Sequence, residues 1–156
     1  MRVMILRNVN MLDHIKKLLQ NLVLQPHSDN ELDFNTALAA LLVEVMRADG
    51  KAQSSEFNKI SAILLSHCQL SQEQVTALIA KAEPLVEEAI DLFAFVKQIN
   101  NQTSDVERIE IVELLWRVAF ADGELDSHED HIIRRISGLL YVSHADFIAA
   151  KHAAAH

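Results

Sequence analysis

The chain carries one pattern twice: Ala48-Asp49-Gly50 followed by Glu56 returns as Ala121-Asp122-Gly123 followed by Glu129, with the two acids equally spaced in each copy. Each copy lies where one apolar helical run ends and another begins. Whatever this sequence folds into must therefore hold the same helix, turn and helix in two places. The match continues past the turn with a slippage of a single position, since Leu70-Ser71 and Val75 answer to Val142-Ser143 and Phe147. The duplicated unit thus spans three helices, over residues 34–82 and 106–154.

Apolar spacing supports that count. Leu12, Ile15, Leu18, Leu19, Leu22 and Val23 follow the i, i+3, i+4, i+7 pattern of an amphipathic helix over residues 12–24, which then meets the breaker-rich stretch 25–31. A second helix is expected over about 34–48, stopped by Gly50, a residue suited to the left-handed conformation past a helix end. A third follows over about 54–67 with Phe57, Ile60, Ile63 and Leu64 inward, and Ser71 opens a fourth. Pro84 reads as the end of that segment and the first residue of a bridging helix over 84–98, because a missing N–H is harmless in a first turn. Its stripe is Val86, Ile90, Phe93 and Val96. Residues 100–104 read as a loop. Ser104 with Glu107, and Asp126 with Glu129, match the capping-box spacing and open two further helices, and Ser143 starts the last. No run combines alternation with β-branched enrichment and hairpin turns. The expectation is an all-α fold of about eight helices: two pseudo-symmetric three-helix repeats plus an N-terminal and a bridging helix, in one domain over residues 11–156, with 1–10 a loose extension.

Composition sets limits on function. A formal charge of −8 argues against a broad electrostatic footprint for nucleic acid or anionic lipid. Cys68 is the only cysteine, which excludes an intrachain disulfide and a Cys-based metal cluster, and makes a reducing, cytoplasmic setting the expectation. The longest clean apolar run, residues 37–43, breaks at Glu44, far below the roughly 18 residues of a membrane span. No Ser-His-Asp order, phosphate-cradling glycine loop or recognisable pair of catalytic carboxylates appears, so a non-enzymatic protein is expected.

The repeated acids carry what chemistry there is. Asp49 and Asp122 stand at helix C-termini, where the macrodipole disfavours an acid by roughly 0.3–1 kcal/mol. A bound cation would offset that, and so would a side chain turned toward the N–H groups of the next helix. Glu56 and Glu129 fall in first turns, where carboxylates are favourable, so a capping role stands beside a ligand role. The candidate metal ligands are Asp49, Glu56, Asp122, Glu129 and Asp126. An all-oxygen set suits Ca2+ or Mg2+, with Zn2+ through His128 and His131 ranked behind them. The segment is not an EF-hand: Asp122, Glu124 and Asp126 take loop positions 1, 3 and 5, but Ser127 stands where glycine is required and Ile133 where the closing glutamate belongs.

The string from Glu113 through Leu-Leu-Trp-Arg-Val-Ala-Phe-Ala-Asp-Gly-Glu-Leu to Asp126, with Glu129 and then Ile132-Ile-Arg-Arg-Ile136, resembles the tellurite-resistance TerB family, in particular its stand-alone bacterial members. The first copy, residues 41–50 with Glu56, fits the same pattern less closely, and the similarity spans roughly residues 12–150. The resemblance implies an all-helical fold with pseudo-two-fold symmetry and, as in some relatives, an acidic cluster that binds divalent cations in tellurite or stress resistance. Related domains stand at the N-terminus of membrane-anchored J-domain co-chaperones, which implies an alternative role as a metal-independent adaptor for an unknown protein partner. Copy one departs from the pattern, with Gln53 opposite Asp126, Lys51 opposite Glu124 and Phe57 opposite Asp130. A site built from both copies would be lopsided, with most of its acidity in the second.

Overall fold

Asp33 begins the first helix by accepting a hydrogen bond on its side chain from Thr36 N at 2.8 Å, a standard N-cap. The structure is a computed structural model and describes residue 15 and residues 32–48, 54–66, 68–89, 91–121, 123 and 125–155. All regular structure among them is helical: α1 (Phe34–Met46), α2 (Ser54–Ser66), α3 (Gln72–Glu88), α4 (Phe93–Gln102), α5 (Asp105–Ala119), α6 (Ser127–Leu139) and α7 (His144–Ala154). The expected N-terminal helix and the extension 1–10 lie outside the described residues, apart from Ile15, which is helical and fully buried.

Helix α1 is the centre. Every residue of it except Glu44 is buried, polar Asn35 and Thr36 included, as expected of a helix apolar all round. It packs most extensively on α3, and also meets α4, α5, α2 and α6. The other inner helix, α5, packs most extensively on α7, and buries Ile111, Val112, Leu114, Leu115, Trp116 and Val118. Trp116 is fully buried, stacked on Phe120 (5.7 Å between ring centres) and tilted against Phe147 (5.3 Å).

The helix starts follow the capping chemistry of the sequence. Ser71 with Gln74, Ser104 with Glu107 and Asp126 with Glu129 each form a capping box, and Ser143 caps α7 by accepting from Asp146 N. One stop is matched as well. Gln69 (φ 54°) and Tyr141 (φ 62°) both take the left-handed conformation two residues before the serine that opens the next helix. At Tyr141 the amide donates to Gly138 O and that of Val142 to Ser137 O, both at 3.0 Å, which closes α6 as a Schellman motif.

The segment around Pro84 departs from expectation. Pro84 neither ends nor begins a helix but lies inside α3, which continues to Glu88. Helix α3 ends at Glu88 and α4 begins at Phe93, with Ile90, expected on the bridging stripe, outside the described residues; α4 then runs on to Gln102, shortening the expected loop 100–104. Burial of Ala82 and Val86 on the same face as Val75 and Ile79 carries the helix through the proline. The interruption also resets the side-chain register. Phe95, Val96 and Ile99 are the buried face of α4, while Phe93, expected inward, is 63% exposed. Phe57 on α2, also expected inward, is 40% exposed.

Candidate functional site

The second Asp-Gly turn forms by stepwise termination of α5. Phe120 N donates to Trp116 O (2.9 Å), Ala121 N to Val118 O (3.1 Å), and Gly123 N to Phe120 O (3.0 Å). Gly123 has φ +86°, and a Cβ there would meet nothing within 4 Å, so its backbone conformation, and not crowding, selects glycine. Helix α6 then opens on Asp126. Asp126 Oδ1 accepts from His128 N (2.7 Å) and lies 2.9 Å from His128 Nδ1, while Glu129 Oε1 accepts from Asp126 N (3.2 Å).

Of the five acids singled out in the sequence, the structure thus brings Asp126 and Glu129 into direct contact. Glu129 is 1% exposed. Glu56, in the first turn of α2, is also 1% exposed, so the two glutamates of the duplicated motif share both helical position and burial. Carboxylates are almost never found this deeply buried unless they are paired, hydrogen-bonded or bound to a cation. Asp49 and Asp122 lie outside the described residues, as do Lys51, Gln53 and Glu124. Among the described residues no group of three or more His, Cys, Asp and Glu is placed to hold a metal ion.

Beside the start of α6 opens a cavity of about 370 Å3, with Asp126, Asp130, His131 and Arg134 on its wall. Its charge is mixed. Asp130 accepts from Arg134 Nη2 at 3.1 Å and from Lys151 Nζ of α7 at 3.4 Å. The same two cations lie over aromatic rings, Arg134 over Phe147 (4.8 Å) and Lys151 over Trp116 (5.0 Å). Asp130 therefore ties the outer face of α6 to α7. The Asp130 and Arg134 pair is legible as an i, i+4 spacing, whereas Lys151, on a different helix, becomes a neighbour only through the fold.

Two further carboxylates flank the inner helices. Burial pushes the Glu44 carboxyl up from its ordinary value, opposed by the charges of Arg47 and Arg135. Burial, reinforced by the neighbouring Glu113, pushes Glu110 up as well, against the opposing charge of Arg117. Arg117 Nη2 lies 2.6 Å from Glu113 Oε2. The arrangement as a whole is an acid-rich helix start joined to a cationic and aromatic brace.

Residues 35–152 match the model of a family described as tellurite resistance protein TerB. No curated protein and no solved structure gives a match.

Proposed function

We propose that this chain, which belongs to the tellurite resistance TerB family, is a non-enzymatic binding domain that takes a divalent cation at its repeated acidic turns. The ligands would be drawn from Asp49, Glu56, Asp122, Glu129 and Asp126, and the role would lie in tellurite or stress resistance. The observation that carries this reading is the burial of Glu56 and Glu129, 1% exposed at the same position of each unit. The donor set is all oxygen, which fits hard ions such as Ca2+ or Mg2+ ahead of Zn2+. A carboxylate can cap and ligate at once, because its two oxygens together offer about four acceptor positions.

Calorimetric titration with Ca2+, Mg2+ and Zn2+ tests it. Saturable heat that disappears in Asp122→Asn combined with Glu129→Gln is the expected result; absence of heat and of any melting shift with all three ions would sink the proposal.

A second reading has its own observation. Tyr141 is 80% exposed and holds a left-handed φ in which glycine is less strained. Exposed tyrosine is a common interface anchor, so this position favours a protein-interaction role that needs no metal. A pull-down whose captured partner is lost on Tyr141→Gly and is indifferent to chelator supports that role over the first.

A further inference from the structure

Phe93, Lys97 and Asn100 follow i, i+4, i+7 spacing, so they share one ridge of α4 over two turns, about 10.5 Å. Phe93, at its near end, is largely exposed. At the far end Asn100 Nδ2 donates to Leu139 O (3.2 Å), which joins the ridge to the last turn of α6. There Leu139 is 36% exposed, and Tyr141, just past the helix, stands out into solvent. Apolar residues exposed singly are ordinary, whereas a connected set of them marks an interaction surface. The left-handed turn at Tyr141 does not itself call for a ring, since Gln69 makes its own left-handed turn before Ser71 with a polar side chain.

The charge on this strip narrows the choice of occupant. Residues 92–104 and 131–145 hold no Asp or Glu, in a chain whose acidic residues outnumber Lys and Arg by 22 to 14. Asp91, at the near end, is engaged locally, its Oδ1 accepting from Phe93 N at 2.9 Å. Two exposed cations stand on the strip: Lys97 on the ridge itself, and Arg135 one turn before Leu139 on the same face of α6. Neither makes an ion pair among the described residues, and Arg135 acts only at longer range, on half-buried Glu44 beside Arg47. Two separate cations among apolar groups suit carboxylates interspersed with apolar anchors, whereas a phosphate backbone or an anionic membrane calls for a denser basic patch.

We propose that the outer ridge of α4 and the end of α6 form the docking surface for an acidic, amphipathic segment of a partner protein, an inference that rests on the metal-independent interaction reading above. The partner's apolar side chains seat on Phe93, Leu139 and Tyr141, and its carboxylates meet Lys97 and Arg135.

The test uses the full chain, with chelator present, and a short fluorescein-labelled peptide with Leu and Phe at i, i+3, i+4, i+7 spacing and Glu and Asp between them, followed by fluorescence anisotropy. Saturable binding is expected. The same peptide with Gln for every acid binds at least about tenfold more weakly, and with Lys for every acid it does not bind. Lys97→Gln combined with Arg135→Gln weakens binding of the acidic peptide by about tenfold or more and flattens its salt dependence. Phe93→Ser and Tyr141→Gly each weaken it by about the same factor. All four side chains are exposed, so circular dichroism should show the variants folded. Equal affinity for the acidic and Gln peptides, both lost on Tyr141→Gly, overturns the acidic partner and leaves the interaction reading standing. Failure of the acidic peptide to bind into the millimolar range overturns the proposal, and the pull-down with Tyr141→Gly then judges the interaction reading alone. Acidic-peptide affinity unchanged in all the variants also overturns it, since binding then lies elsewhere. So does a dimer in sedimentation that Phe93→Ser abolishes, which makes a second copy the occupant, and so does binding to phosphatidylserine vesicles in place of the peptide.

Discussion

Glu129 is where capping and cation binding can be separated by a single pair of substitutions. Glu129→Ala removes the acceptor for Asp126 N, whose bond is 3.2 Å long, from a side chain that is almost wholly buried. The lost cap contact costs about 1 kcal/mol, the lost methylene about 0.8 kcal/mol, and imperfect refilling of the space somewhat more. The sum is about 2–3 kcal/mol. At about 2–4 °C per kcal/mol for a chain of this length, the melting temperature should fall by roughly 4–12 °C. Glu129→Gln keeps an Oε1 acceptor and nearly the same volume but loses the charge, so the ligand-free protein should stay within about 1 kcal/mol of wild type. Under the cation proposal, Ca2+ at about a hundred times its Kd adds about 2.7 kcal/mol to wild type, roughly 5–11 °C. In Glu129→Gln that increment should be mostly gone. Melting followed by circular dichroism, with and without Ca2+, reads all four values. Retention of the full Ca2+ increment in Glu129→Gln refutes ligation by this carboxylate. A ligand-free Glu129→Gln protein as unstable as Glu129→Ala refutes the capping account, since the fold would then depend on the charge itself.

Three further outcomes are expected. Tyr141→Gly relieves a left-handed φ that costs an L residue about 1–2 kcal/mol, against about 0.5–1 kcal/mol for glycine's greater freedom when unfolded, so urea denaturation should show a net gain of roughly 0.5–1 kcal/mol. Glu110 is pushed up in the folded protein, chiefly by burial; the native state therefore binds its proton more readily than the unfolded chain, and its contribution is fully present below the unfolded pKa and lost as pH rises through the folded one. Glu110→Gln should accordingly raise the melting temperature at neutral pH and leave it nearly unchanged in acid, and a gain of equal size at both pH values contradicts the assignment. Pro84→Ala restores an N–H within α3 and should stabilise by about 1–3 kcal/mol, measured by chemical denaturation; a loss instead would mean that the proline's restriction of the unfolded chain outweighs the missing bond.

Most of the architecture is legible because it is local. The apolar run of 37–43 becomes the central helix, and the paired polar residues at Ser104 with Glu107 and Asp126 with Glu129 become helix starts, since the groups that cap are near neighbours in the chain. What escapes sequence reading depends on competition between local preference and packing. Pro84 looks like punctuation, but the burial of Val86 beyond it holds the helix together. The stripe through Phe93 fails because it is counted across a break in the helix. At the acidic turn, the burial of Glu56 and Glu129 follows from packing and has no signature in spacing. The same holds for the pairing of Asp130 with Lys151 on another helix.

Because α1 is enclosed by α2, α3, α4, α5 and α6, the chain segments before and after the α3–α4 break share a single interior instead of each owning one. Chains cut between α3 and α4 would each display the apolar surface that the other half covers. Such fragments should be insoluble or aggregated alone and should regain helical order only on mixing. A chain cut between Glu88 and Phe93 checks this, with recovery of helical order on mixing, followed by circular dichroism, as the expected result.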